Sequence, residues 1–311
     1  MYFKDCIESK SQWSSYERVL TQFAKFVEDC VRHLMKAFPV VEQVAAKDGK
    51  RYHATVTLLT RHVCEFIDGV SVLSASGCNE SCKPLLRSAF EAFISVCYIL
   101  EKDTERRALA YQVVHAHNRI KLYRSMMPTE QAGQELRKTI QSDPIGVKVN
   151  LPILDYQKAI DNLENLFLRP EYAGVEQAWQ MAKNQSRGEP KWFSLFGGPI
   201  NIRALAIQTK HGGWYELLYR RWSEAVHAGG ILDNVAISAN GQSVFRPIRH
   251  PDGLQATVSL AGGLCISLAR QLIEHYAPDR KKEMDAAYVS TLQKRYLEVS
   301  SRKPLITASW K

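Results

Sequence analysis

The sequence predicts an all-α protein, a multi-helix bundle. Three observations lead there. Apolar residues recur every three and four positions through most of the 311 residues. No run alternates apolar and polar residues for long enough to build a sheet. Glycine and proline fall mostly between the periodic segments rather than inside them. With 45% hydrophobic and 23% charged residues, the composition is that of a soluble globular protein. The length suffices for a sizeable core without disulfides or metal. We expect a single helical domain over 1–311, with a core of about 50–240, an N-terminal helix over 11–38 and C-terminal helices over 255–297 packed on that core.

Residues 11–38 carry Trp13, Tyr16, Val19, Leu20, Phe23, Phe26, Val27, Cys30, Val31 and Leu34 in a sustained 3-4 repeat, and Pro39 is expected to end it. A second helix is predicted over about 50–75, closed by Ser76-Gly77. The third, about 79–100, is apolar almost all round, which places it centrally, yet Arg87 and Glu91 interrupt it four residues apart. The fourth, about 104–127, carries Tyr111, His115, Asn118 and Leu122 on one face and His117, Lys121 and Arg124 on another. Short helices are predicted near 129–141, 152–168 and 172–184, then 201–209 and 214–227. An extended piece within 231–252 precedes two closing helices at about 255–276 and 279–297.

Several function classes lack their signatures. The chain has no Gly-Lys-Ser/Thr phosphate loop, no dinucleotide fingerprint, no nucleophile elbow and no His-Glu-x-x-His, so no cofactor is expected. The seven cysteines are odd in number and scattered, which predicts reduced thiols. Cys78 and Cys82 stand four apart, but no second Cys/His pair at zinc-site spacing accompanies them. No segment reads as a membrane span, and Met1-Tyr2-Phe3-Lys4-Asp5 lacks a signal-peptide pattern, so a cytoplasmic protein is expected. The formal net charge of +9 allows a polyanionic partner, although Lys and Arg form only small clusters such as Arg106-Arg107 and Arg220-Arg221.

The richest polar pattern lies in 214–227. Glu216, Arg220, Ser223 and His227 are spaced i, i+4, i+7, i+11, which puts them on one face of a helix. An arginine and a histidine there can hold a phosphate and move a proton beside it. Arg220 precedes His227 by six intervening residues and Arg221 by five. The i, i+7 pair is only about 20° apart around the axis, which favours Arg220 as the same-face partner. Arg270 and His275 fit the same loose spacing.

An arginine shortly before a histidine on a helix resembles the active-site motif of HEPN ribonucleases, which are helical bundles, often dimeric, of bacterial toxin–antitoxin and anti-phage systems. Three blocks in order also resemble an uncharacterised bacterial family of helical proteins: Leu86-Arg87-Ser88-Ala89-Phe90-Glu91-Ala92, Trp192 running into Ile202-Arg203-Ala204-Leu205-Ala206, and Tyr215 through Tyr219-Arg220-Arg221-Trp222-Ser223 to His227. That resemblance covers roughly 60–235 and implies fold and order, with Arg87, Glu91, Ser223 and His227 as its polar positions.

Together these resemblances imply a HEPN-like core and a metal-independent RNA-cleaving effector. Its catalytic residues would be Arg220, Arg221, Ser223 and His227, with Arg87, Glu91, Tyr111, His115 and Asn118 supporting them or facing substrate. RNA, a partner protein of the defence system and a second copy of the chain are the expected partners. A non-catalytic sensor or interaction module using the same polar groups is the alternative, and a metal enzyme using Glu91, His115 and His227 is a third. Because Arg87 and Glu91 need partners, the 79–100 helix is expected to pack beside 214–227, with one of them within hydrogen-bond reach of Ser223 or His227.

Overall fold

The computed structural model describes residues 10–143, 155–185, 188–227, 229, 231, 235–237, 241, 243–245, 248–249 and 251–302. They are mostly helical, and the strands among them form one short hairpin. By contact the residues fall into two compact units. One compact unit is Met1–Lys102 with Ile202–Lys311, and the other is Asp103–Asn201.

The first unit is organised around four long helices: α1 (Lys10–Met35), α3 (Tyr52–Ala75), α4 (Asn79–Glu101) and α12 (Leu254–Tyr276). α1 and α4 each pack against both α3 and α12. The helices near the two ends of the chain, expected as additions to a core, are thus half of this bundle. The 3-4 repeat of α1 supplies its buried stripe: Leu20, Phe23, Phe26, Val27, Cys30 and Leu34. α4 contributes Leu86, Phe90, Phe93, Ile94 and Ile99, all fully buried.

Two adjacent glycines let α12 approach neighbours on two sides. A Cβ on Gly262 would lie 2.7 Å from the Phe26 ring, and one on Gly263 would lie 3.3 Å from Trp214. By length and hydropathy α12 is the one described helix that could cross a membrane, which the sequence reading had not singled out. However, 61% of its apolar window is buried inside the protein.

Pro39 does more than end a helix. α1 stops at Met35, and Pro39 sits in the first turn of α2 (Phe38–Asp48), a helix the sequence reading missed. The missing N–H of proline costs nothing there, because first-turn donors have no intrahelical acceptor. α2 ends at Gly49 in the left-handed conformation, φ 67°. Behind it, Nε2 of the buried His53 lies 2.8 Å from the Asp48 carboxylate, and its Nδ1 lies 3.2 Å from the Tyr276 hydroxyl. The closing segment is α13 (Lys281–Tyr288), a π-helical turn over Val289–Gln293, and α14 (Lys294–Ser301). Arg295 in α14 fastens it to α1 through Asp29 at 2.6 Å.

The cysteines of the described residues are free, and five of the six are buried. Burial pushes the Cys30, Cys64, Cys82 and Cys97 thiols up to about 12. Cys6 lies outside the described residues. Cys82 Sγ donates to the Cys78 carbonyl at 3.3 Å. Among the described residues no group of three or more His, Cys, Asp or Glu side chains is arranged to hold a metal ion.

The second unit contains α5 (Thr104–Met126), α6 (Gln131–Ser142), α7 (Tyr156–Phe167), α8 (Pro170–Gln185) and a 3-10 turn over Trp192–Gly197. Its core joins Leu109, Val113 and Val114 of α5 to Tyr172, Val175 and Trp179 of α8 and to Leu195. His117 of α5 lies flat between Trp179 and Phe167, with ring centroids 3.4 and 4.4 Å away, and reaches Glu176 at 2.8 Å. In the first unit, the extended piece expected in 231–252 is the antiparallel pair β1 (Val235–Ile237) and β2 (Ser243–Phe245).

Candidate functional site

The polar segment follows α9 (Ile202–Gln208) and runs as α10 (Gly212–Trp214), a π-helical turn (Tyr215–Tyr219) and α11 (Arg220–Val226). It is helical throughout, as expected, but not uniformly α. The Arg220 N–H donates to the Tyr215 carbonyl five residues back, so one turn holds an extra residue. The π turn alters the angular spacing assumed for Glu216 relative to Arg220, Ser223 and His227. It is anchored by Trp214, whose ring stacks with Phe93 of α4 at 6.3 Å.

α11 lies against α4 through two interlocked i, i+4 pairs running in opposite directions. Arg87 Nη1 donates to Ser223 Oγ at 3.1 Å, and the Tyr219 hydroxyl donates to Glu91 Oε1 at 2.7 Å. Arg87 Nε also donates to Glu91 Oε1 at 3.3 Å, and the guanidinium lies 4.9 Å from the Tyr219 ring centroid. Phe90, between the two α4 residues, packs against Tyr219 and Trp222 at 5.9 and 6.3 Å. The expected contact between the two helices is therefore present, through Arg87 and Ser223.

Each group in this seam has a partner. Burial opposes the charge on Arg87, but the Tyr219 oxygen and the Glu91 carboxylate outweigh it and hold the guanidinium above its usual range. Burial, then the Glu91 carboxylate, pushes the Tyr219 phenol up to about 12.

The other side of α11 faces solvent. Arg220, Arg221, Glu224 and His227 are exposed, and His227 closes the helix with its backbone N–H on the Ser223 carbonyl at 3.1 Å. Arg220 Nη1 reaches Glu216 Oε2 at 3.3 Å, while Arg203 Nε of α9 takes Glu216 Oε1 at 2.5 Å. Chiefly Arg203, then Arg220, hold the Glu216 carboxyl below the usual carboxylate range.

The expected single stripe is thus divided. Ser223 turns into the seam, and Arg220 and His227 stay on the rim. Arg221, about 100° round the helix from Arg220, is exposed as well. Tyr111, His115 and Asn118 belong to α5 of the second unit. There the Tyr111 ring stacks with His115 at 6.4 Å and meets the edge of Trp192 at 5.3 Å, while His115 and Asn118 are exposed. Although solvent reaches the His115 side chain, the partial desolvation of its ring by the surrounding protein, then the nearby Arg119, holds the imidazole below its usual range.

The sequence reading gave no role to Tyr219, Arg203 or His62. Tyr219 stands four residues before Ser223, matching the Arg87 and Glu91 spacing, so its place in the seam was legible. His62 of α3, whose Nε2 lies 3.0 Å from Ser88 Oγ, had no such signal.

The class defined by fold and site is an all-α protein with an internal Arg-Glu-Tyr-Ser seam and an arginine- and histidine-bearing rim on the same helix. The chain belongs to DUF5677, a family of unknown function, which it matches over residues 53–242. That span takes in both halves of the seam and the whole rim. No curated protein and no solved structure matches the chain.

Proposed function

We propose that the chain is a HEPN-like, metal-independent RNA-cleaving effector of a bacterial anti-phage or toxin–antitoxin system, acting in the cytoplasm on RNA and regulated by a partner protein or a second copy. The observation that carries this reading is the division of α11. Its inner face is committed to α4, which leaves Arg220, Arg221 and His227 exposed along the remainder of one helix.

In the proposed reaction the 2'-oxygen of a ribose attacks phosphorus and the bond from phosphorus to the 5'-oxygen breaks. His227 takes the proton of the 2'-hydroxyl, and the imidazolium so formed returns it through water to the leaving 5'-oxygen. Arg220, with Arg221 beside it, holds the charge that develops on the phosphoryl oxygens. Arg87, Glu91, Tyr219 and Ser223 position the helix and do not touch RNA.

The test is cleavage of RNA by the purified protein in the presence of a chelator. The reading requires products ending in a 2',3'-cyclic phosphate, no cleavage when the scissile ribose lacks its 2'-hydroxyl, and no cleavage by His227→Ala. Equal cleavage by wild type and His227→Ala would contradict it.

A specific observation also favours the alternative of a non-catalytic interaction module. Three of the four polar positions singled out by the family resemblance, Arg87, Glu91 and Ser223, are occupied with each other and with Tyr219. That is the behaviour of a structural network. On this reading the rim binds a polyanion without cleaving it, and His227→Ala leaves that binding intact.

A further inference from the structure

The bridge across the rim has a form that the cleavage reading does not use. Glu216 offers one carboxylate oxygen to Arg203 Nε at 2.5 Å and the other to Arg220 Nη1 at 3.3 Å. Two guanidinium groups from different helices converge on the two oxygens of one anion. A phosphodiester presents a similar pair of oxygens to such a fork.

We propose that Arg203 and Arg220 form a two-arginine clamp for a phosphate of a single-stranded nucleic-acid backbone, and that Glu216 occupies the clamp as an internal competitor. The assignment deepens the RNA reading of the same face and rests on it for the ligand class.

The physical case has three parts. The bridge is a surface one, with side-chain exposures of 60% for Arg203, 36% for Glu216 and 69% for Arg220. Such pairs contribute little stability, so a polyanion that engages several cations and releases their counterions can displace the carboxylate. Glu216 is carried by the π turn while Arg220 begins the regular helix, so the carboxylate and one jaw of the clamp stand on different helical geometries. Arg221 lies exposed beside Arg220 and adds a third positive charge to the same rim. With Glu216 in place, it and the exposed Glu224 set two negative charges against three positive ones. With it displaced, all three are open to the backbone.

The experiment measures binding, so it is independent of catalysis. The probe is a fluorescein-labelled, fully 2'-O-methylated oligouridylate, which cannot undergo attack by its own 2'-oxygen. Fluorescence anisotropy is read across a salt series on wild type, Glu216→Gln, Arg203→Ala, Arg220→Ala and the double variant Glu216→Gln/Arg203→Ala. Glu216→Gln should bind about fivefold tighter, the worth of one surface ion pair. Arg203→Ala and Arg220→Ala should each bind more weakly and lower the salt slope by about one phosphate contact. The double variant should lose the gain. All four variants change only side chains that are exposed or, at Glu216, half-buried within a surface ion pair, so their melting midpoints should stay close to wild type.

Unchanged or weaker binding by Glu216→Gln, wild-type binding by Arg203→Ala, or no binding by any of the proteins overturns the clamp. If the clamp behaves as stated while wild type leaves unmodified RNA intact, the cleavage reading fails and the clamp stands.

Discussion

The two faces of α11 use similar residue types for different ends. At the seam Ser223, Arg87, Glu91 and Tyr219 form one chain of hydrogen bonds, with the Arg87 side chain 23% and the Glu91 side chain 40% exposed. On the outer face Arg220 is 69% exposed, and Arg221 and His227 stand in solvent. A polar group taken from water must be matched, so the inner face is a specification of how two helices meet. A charged group left in water carries no such requirement, so the outer face is free to meet something else. The difference shows why a polar stripe on a helix does not by itself mark a functional site: a rotation of less than a quarter turn separates Ser223 in the seam from His227 on the rim.

The largest effects should come from removing the apolar support of the seam. Trp222, 4% exposed, packs on Phe90, and Trp222→Ala should cost about 3–5 kcal/mol in urea unfolding. A cost under about 1 kcal/mol would mean that α11 is not anchored as described.

Arg87→Ala should cost about 1–3 kcal/mol, because it leaves Glu91 and Ser223 without a shared partner. Paired with Ser223→Ala it should be non-additive by at least about 0.5 kcal/mol, whereas strict additivity would dissolve the seam into independent contacts.

A smaller effect is read through pH. The Tyr219 phenol is pushed from 10.0 to about 12, so folding favours its neutral form. The stabilisation this represents is complete below the ordinary phenol value and is lost as pH rises through about 12. The difference in tyrosinate absorbance between wild type and Tyr219→Phe should therefore develop near the top of that window. Ionisation of Tyr219 at the ordinary phenol value would contradict the hydrogen bond to Glu91.

The smallest effects belong to the rim, where Arg221→Ala and His227→Ala should each change unfolding free energy by no more than about 0.5 kcal/mol.

Much of this contrast was legible in the sequence. The apolar periodicity placed α4 centrally, and the interruption by Arg87 and Glu91 demanded partners that Ser223 could supply four residues beyond Tyr219. The division of the stripe was not legible. Uniform α-helical geometry put Glu216, Arg220, Ser223 and His227 on one face, but which edge of that face turns towards α4 is set by packing between distant segments, and nothing in the local residues announces the π turn that carries Glu216.

Pairings between distant segments were equally hidden. The sequence puts His117, Lys121 and Arg124 on one face of α5 but does not show that each meets a carboxylate from elsewhere in its unit: Glu176, Glu189 and Glu164. His117 and His227 look alike in the sequence. Only packing shows one wedged between Trp179 and Phe167 and the other exposed. The helix over 38–48 was missed because Pro39 signals a start as readily as a stop.

The claim that the seam carries the fold and the rim carries the function is tested most directly by one paired measurement on His227→Ala. Its thermal midpoint and its cleavage of RNA in chelator are read from the same preparation as wild type. The account predicts an unchanged midpoint with cleavage abolished. A lowered midpoint, or cleavage equal to wild type, would contradict it.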